Sequence, residues 1–132
     1  TEPSKGVIVF DADLDGKQDL FITRDANTPL FLHNTTASVG KWLGVKVLGN
    51  ASNADALGAK ITVTPTEGAA VMKAFVGTTG SFLTQDGATK HFGLNNFKGK
   101  IWSVKVDFPA TKKSVVLNNV KPNQVVTVRE PQ

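Results

Sequence analysis

The chain has no cysteine and no tyrosine, one methionine, and two histidines among its 132 residues. Without cysteine there can be no disulfide, thiolate zinc site, iron–sulfur cluster or thiol nucleophile. The histidines, His33 and His91, form neither an HxH nor an HxxxH pair, which argues against a histidine-built metal site. Arginine is scarce, limited to Arg24 and Arg129, whereas nucleic-acid binding calls for clustered arginine with exposed aromatics. No apolar run approaches the roughly 18 residues that span a bilayer, so no membrane insertion is expected. Thr1–Phe10 also lacks the basic start and apolar stretch of a leader peptide. Gly77-Thr78-Thr79-Gly80 is neither GxGxxG nor a P-loop, and Ser81 and Ser103 have no GxSxG elbow around them. Neither a serine hydrolase nor a phosphate-binding loop is therefore expected. No stretch carries apolar residues at i, i+3, i+4 and i+7 for three turns, so no long helix is expected.

What is present is strand pattern. Hydrophobic residues make up 40% and charged residues 20%, enough for one globular domain with a buried core. Short β-branched and aromatic runs recur between Gly, Pro, Asn and Asp. They predict strands at Gly6–Phe10, Asp19–Arg24, Leu30–His33, Lys41–Leu48, Ala59–Thr64, Ala70–Val76, Ser81–Thr84, Thr89–Leu94, Ile101–Phe108, Ser114–Leu117 and Gln124–Arg129. Asn53–Leu57 has room for a single turn at most. In Ile101–Phe108, Trp102, Val104, Val106 and Phe108 fall on one face by strict alternation, and both Trp42 and Trp102 are expected in the core. In Ala59–Thr64, Ala59, Ile61 and Val63 face inward. Lys41–Leu48 is apolar on both faces, as a central strand would be. Regular short strands with turn signals give an all-β fold, a β-sandwich or partly closed barrel.

Charge divides the chain. Residues 1–31 hold three basic and six acidic side chains, net −3, and residues 32–132 hold twelve basic and five acidic ones, net +7. The basic residues stand singly along the strands. Their expected attraction for polyanions is weak and salt-sensitive, and an acidic glycan is one partner this charge would suit.

The most specific local pattern is Asp11-Ala12-Asp13-Leu14-Asp15-Gly16-Lys17-Gln18-Asp19. Alternate carboxylates in a tight loop can converge on one hard cation, and calcium takes six to eight oxygens at about 2.3–2.6 Å. Gly16 permits the turn and the Lys17 carbonyl offers a further oxygen. An EF-hand would need a Glu at the twelfth position and flanking helices. Here that position is Ile22 and both flanks are strands, so the expectation is an N-terminal calcium-binding strand–loop–strand with Asp11, Asp13, Asp15, Lys17 and Asp19 as ligands.

This segment, from about residue 5 to 34 and including Asp19-Leu20-Phe21, resembles an FG-GAP (integrin α-type propeller) repeat, which implies calcium at the same five residues. A propeller needs several blades and only one repeat is present. From Asn34 onward the phrases KWLGVKVLGNASNADALGAKITV, GTTGSFLTQ, KHFGL and VKVDFP resemble the ASPIC/UnbV module of cartilage-acidic-protein-like proteins. Phe108 stands where that family usually has Trp before Pro, and Ala110-Thr111 replaces its Ser-Gly turn. The resemblance implies a division at 1–33 and 34–132 packed as one unit. It also implies a secreted or cell-surface location, an extracellular protein or glycan as partner, a monomer, and a non-enzymatic structural or adhesion role at the end of a repeat array.

Other residues have narrower readings. Ser52-Asn53-Ala54-Asp55 is expected to be a structural loop, since Asn and Asp bond nearby amides. His91 is expected to be a structural histidine. Asn34-Thr35-Thr36 and Asn50-Ala51-Ser52 are formal glycosylation triplets. A spontaneous Lys–Asn isopeptide bond is an alternative function. It needs a lysine whose amine is neutral through burial, and Lys46, in the strand apolar on both faces, with Asn119 is the candidate pair.

Overall fold

A computed structural model describes residues 3–37, 40–77, 84–85 and 87–132. Ten strands are ordered along the chain: β1 (Ser4–Phe10), β2 (Asp19–Arg24), β3 (Asn27–Leu32), β4 (Lys41–Leu48), β5 (Lys60–Thr64), β6 (Met72–Phe75), β7 (Thr89–Asn95), β8 (Ile101–Phe108), β9 (Lys113–Val120) and β10 (Gln124–Arg129). No helix occurs among the described residues. The expected strand at Ser81–Thr84 lies almost wholly outside them. The chain divides into two compact units. Unit 1 contains the described residues up to 37 with Thr84, Gln85 and Gly87, and unit 2 is Gly40–Gly77 with Ala88–Gln132.

Unit 1 is an antiparallel sheet in the order β1-β2-β3. Its register runs from Phe10↔Asp19 in the first pair and Leu20↔Leu32 in the second. The sheet has no apolar core: every described apolar side chain in it retains solvent exposure, and Phe31 and Leu32 remain about half exposed at 50% and 48%.

Unit 2 holds two sheets, β10-β4-β7 and β6-β5-β8-β9. Both contribute to one apolar cluster, with Leu43, Val45 and Val47 from β4 meeting Ile61 and Val63 from β5 and Val104, Val106 and Phe108 from β8. The arrangement is sandwich-like and no sheet closes into a barrel. β4 is central as expected, paired in parallel with β10 and antiparallel with β7. Ala59, Ile61 and Val63 are buried and Lys60, Thr62 and Thr64 are less so, the alternation of a sheet with one dry face.

Two expectations from alternation are corrected. Trp42 is buried and stacks on His91 at 5.7 Å, but Trp102 is 46% exposed. The period breaks at the start of β8, where Ile101 and Val104 are both buried although three residues apart. Asn119, which the register brings opposite Trp102, has a left-handed backbone (φ 55°) that disturbs the ladder there. Lys46 is exposed, because only the Leu43–Val45–Val47 side of β4 faces the core.

Candidate functional site

The acidic loop spans the eight residues between β1 and β2, and its own backbone amides hold its carboxylates. Asp11 accepts the N–H of Asp15 at 3.1 Å and of Gly16 at 2.8 Å, one on each oxygen. Asp13 accepts the Asp15 N–H at 3.3 Å, and Asp15 accepts the Lys17 N–H at 2.8 Å. The bonds of Asp13 and Asp15 to the amide two residues on are Asx turns, and Asp11 reaches four and five residues on to close the loop. They explain why Asp at alternate positions curls the chain here. Gly16 completes the curl at φ 90°, a conformation that a Cβ would strain.

Asp19 ends the loop as the first residue of β2 and is 1% exposed. One of its oxygens accepts the Asn34 N–H at 2.8 Å and the other the Ala12 N–H at 3.0 Å. These two amides, Asn34 first, hold its carboxyl below the ordinary carboxylate range. The Asp19 carboxylate thus ties together the loop, β2 and the segment after β3. Each oxygen keeps a second lone pair with which to ligate.

The loop brings four of the five expected ligands into two overlapping groups. The carboxylates of Asp11, Asp13 and Asp19 lie within 4.8 Å of one another, and so do those of Asp13 and Asp15 with a ring nitrogen of His33. Two oxygens on opposite sides of one calcium ion would be about 5 Å apart, given bond lengths of about 2.3–2.6 Å. The first group therefore fits a common ion, and its all-oxygen donors are of the hard class calcium takes. Lys17 meets the loop through its side chain, its ammonium 2.6 Å from Asp15. That ion pair lowers the Asp15 carboxyl and raises the Lys17 amine, each from its ordinary value.

His33 is the residue that sequence spacing missed. Its Nε2 stands 3.2 Å from Asp13 and 4.0 Å from Asp19. The signal was in the hairpin register: with Leu20 opposite Leu32, the next pair outward is Asp19 with His33. Phe31 stacks on the His33 ring, with centroids 6.3 Å apart.

Unit 2 has its own buried carboxylate, Glu130, 3% exposed, which nothing in the sequence had singled out. It accepts the N–H of Asn50 at 2.8 Å, the N–H and hydroxyl of Ser52 at 3.0 and 2.8 Å, and the Thr111 hydroxyl at 2.7 Å. The Asn50 and Ser52 amides lead in holding its carboxyl down to about 2. Ser52 is thus a structural anchor. Asn53 closes the same loop, accepting the Leu57 N–H at 2.7 Å. Gly49 is required there, since a Cβ would come within 1.6 Å of the Asn53 carbonyl.

The proposed crosslink pair is not brought together. Lys46 is exposed in the β10-β4-β7 sheet and Asn119 is exposed in β9, the edge of the other sheet, so neither has the buried setting that the chemistry requires.

The family model described as ASPIC and UnbV matches residues 49–132, which begin at the Gly49 loop and run through Glu130. The acidic loop of unit 1 lies outside that stretch. A search of curated proteins found no match to the chain. The matched stretch covers well over half of the sequence and carries the loop, every strand of unit 2 except β4, and its buried carboxylate, and on that basis the chain belongs to the ASPIC and UnbV family.

Proposed function

We propose that the chain is a non-enzymatic, calcium-stabilised module of a longer extracellular repeat protein, with a structural or adhesive role. The observation that carries the calcium reading is the convergence of Asp11, Asp13 and Asp19 within 4.8 Å in a loop whose amides already orient them. Bound calcium would supply the positive charge that lets these carboxylates sit together. Asp13 belongs to both carboxylate groups, so it is the ligand whose loss matters most. The resemblance of residues 5–34 to an FG-GAP repeat supports the same assignment, and with it a place at the end of a repeat array. Extracellular calcium modules work at about 10⁻⁴–10⁻³ M, a range that a short loop without a bidentate Glu suits.

Calorimetric titration of the full chain with calcium should give one binding event, removed by Asp13→Ala. Magnesium should bind poorly, because it demands tight octahedral geometry and gives up water reluctantly. Absence of binding heat, with superimposable melting curves in EDTA and in millimolar calcium, would leave the loop a solvated acidic turn.

A further inference from the structure

Unit 2 carries twelve basic side chains against four acidic ones, and its fold gathers four lysines that are far apart in sequence at one end of the two sheets. Lys41 opens β4 opposite Asn95, the last residue of β7. Lys98 and Lys100 stand in the turn from β7 to β8. Lys121 follows Val120, the partner of Ile101 across β8 and β9, so the same register continued one step sets Lys100 and Lys121 opposite each other. The turns are fastened together. The Asn123 N–H donates to the Trp42 carbonyl at 2.7 Å, holding the Lys121 turn against the strand start that carries Lys41. A Cβ on Gly40 would lie 2.7 Å from the Asn95 Cα, so that strand start also lies close against the end of β7.

All four lysines are exposed, and none of them forms an ion pair among the described residues. Glu67, in the connection from β5 to β6, is the sole carboxylate that unit 2 places at this end. Like charges set opposite on neighbouring strands destabilise a sheet. Trp102, two residues beyond Lys100 and therefore on the same side of the extended chain, is 46% exposed beside them.

We propose that this end of unit 2 binds an acidic polysaccharide, the lysine ammoniums meeting sulfate or carboxylate groups and the Trp102 ring lying against a sugar face. Isolated anionic groups along a sugar chain suit the compact point charge of lysine. A nucleic-acid surface would carry arginine and several stacking rings. This end of unit 2 has no arginine, since Arg129, the arginine of this unit, closes β10 at the opposite end. The inference does not depend on calcium.

The test is titration of the full chain with heparin oligosaccharide, and in parallel with poly(dT), at several salt concentrations, followed by tryptophan fluorescence and calorimetry. Heparin should bind. The double variant Lys100→Gln/Lys121→Gln should lose about tenfold in affinity and reduce the log–log salt slope by about two. Trp102→Ala should lower affinity with the slope unchanged. A control pair away from this end, Lys46→Gln/Lys112→Gln, should change affinity less than about twofold. Equal losses in the two double variants would reduce the attraction to diffuse net charge and overturn the proposal. So would no heparin binding, or poly(dT) binding as tight and as dependent on Lys100 and Lys121.

Discussion

In unit 2 the side chains with no solvent exposure are Leu43, Val45, Ile61, Val63, Ile101, Val104 and Val106; in unit 1 the most buried described side chain is the carboxylate of Asp19. Unit 2 is ordered by apolar burial, the dominant favourable term in folding. Unit 1 has no such core among its described residues. Its order rests on strand pairing, each bond worth about 0.5–1.5 kcal/mol net, and on carboxylates that collect backbone amides, each worth about 1.5–3 kcal/mol. The difference teaches where each unit is vulnerable: unit 2 to the loss of volume, unit 1 to the loss of charge balance. Both put one buried carboxylate to the same use, Asp19 and Glu130 each fastening segments that do not pair as strands.

The largest effect should follow from a cavity in unit 2. Leu43→Ala, at a fully buried position of the central strand, should cost about 2–5 kcal/mol, and Phe108→Ala about 3–5 kcal/mol, read by urea denaturation. A cost under about 1 kcal/mol for either would show that the two sheets do not share a packed core.

Calcium comes next, and it should act on unit 1. At a concentration about 100 times Kd, an ion that binds only the folded form stabilises it by about 2.7 kcal/mol. Amide exchange should slow in the Asp11–Asp19 loop and in β2 on adding calcium, with little change across β4, β5 and β8. Asp13→Ala should abolish the slowing. Lys17→Ala should preserve it, because its ammonium neutralises Asp15 and is not needed to ligate. Equal protection of both units by calcium would dissolve the contrast between them.

Acid should expose Glu130. Its carboxyl titrates near 4.5 when unfolded and near 2 when folded, so the folded form favours the ionised group. The stability it contributes is fully present above about pH 4.5 and drains away as pH falls toward 2. Glu130→Gln should lower the melting temperature of unit 2 at neutral pH and flatten its pH dependence over that window. A variant as steep as the parent there would remove Glu130 as the cause.

The strands were legible because alternation and turn residues are local signals. All ten strands among the described residues coincide with predicted runs to within about three residues at each end, the widest gaps being β3, which begins at Asn27, and β9, which runs on to Val120. The convergence of the acidic loop was legible too, since Asp11, Asp13, Asp15 and Asp19 lie within nine residues. What escaped depends on pairing between distant segments. Glu130 reaches its partners across 78 and 80 residues in sequence, which no spacing rule encodes. Trp102 looked buried because strict alternation was carried through a point where the ladder is disturbed. Lys46 shares its side of β4 with Trp42 and Leu48, and that face is dry only at its Trp42 end, a difference along one strand that apolar content does not encode. The lysines looked scattered because two separate turns and the start of β4 carry these four to one end of the sandwich.

The smallest effect is the mirror of the first. Leu32→Ala makes the same chemical change as Leu43→Ala, but at a site in β3 that is 48% exposed. Full burial of a leucine is worth about 1.5–3 kcal/mol, so a half-exposed one has at most about 1.5 kcal/mol to lose, and the alanine methyl keeps part of that. Urea denaturation should therefore place Leu32→Ala within about 1 kcal/mol of the parent, and amide exchange should show β1 and β2 as protected as before. Leu32 lies beside Phe31 and Leu30 on a strand exposed along its whole length, and an apolar strand of that kind at a sheet edge favours association. Dilution separates the two sources of cost. If Leu32→Ala destabilised the chain as much as Leu43→Ala at high protein concentration and not at low, β3 would be buried by a second copy, and unit 1 would share the apolar ordering of unit 2. A small cost that does not vary with concentration is the result expected of a sheet held together by its backbone and its carboxylates.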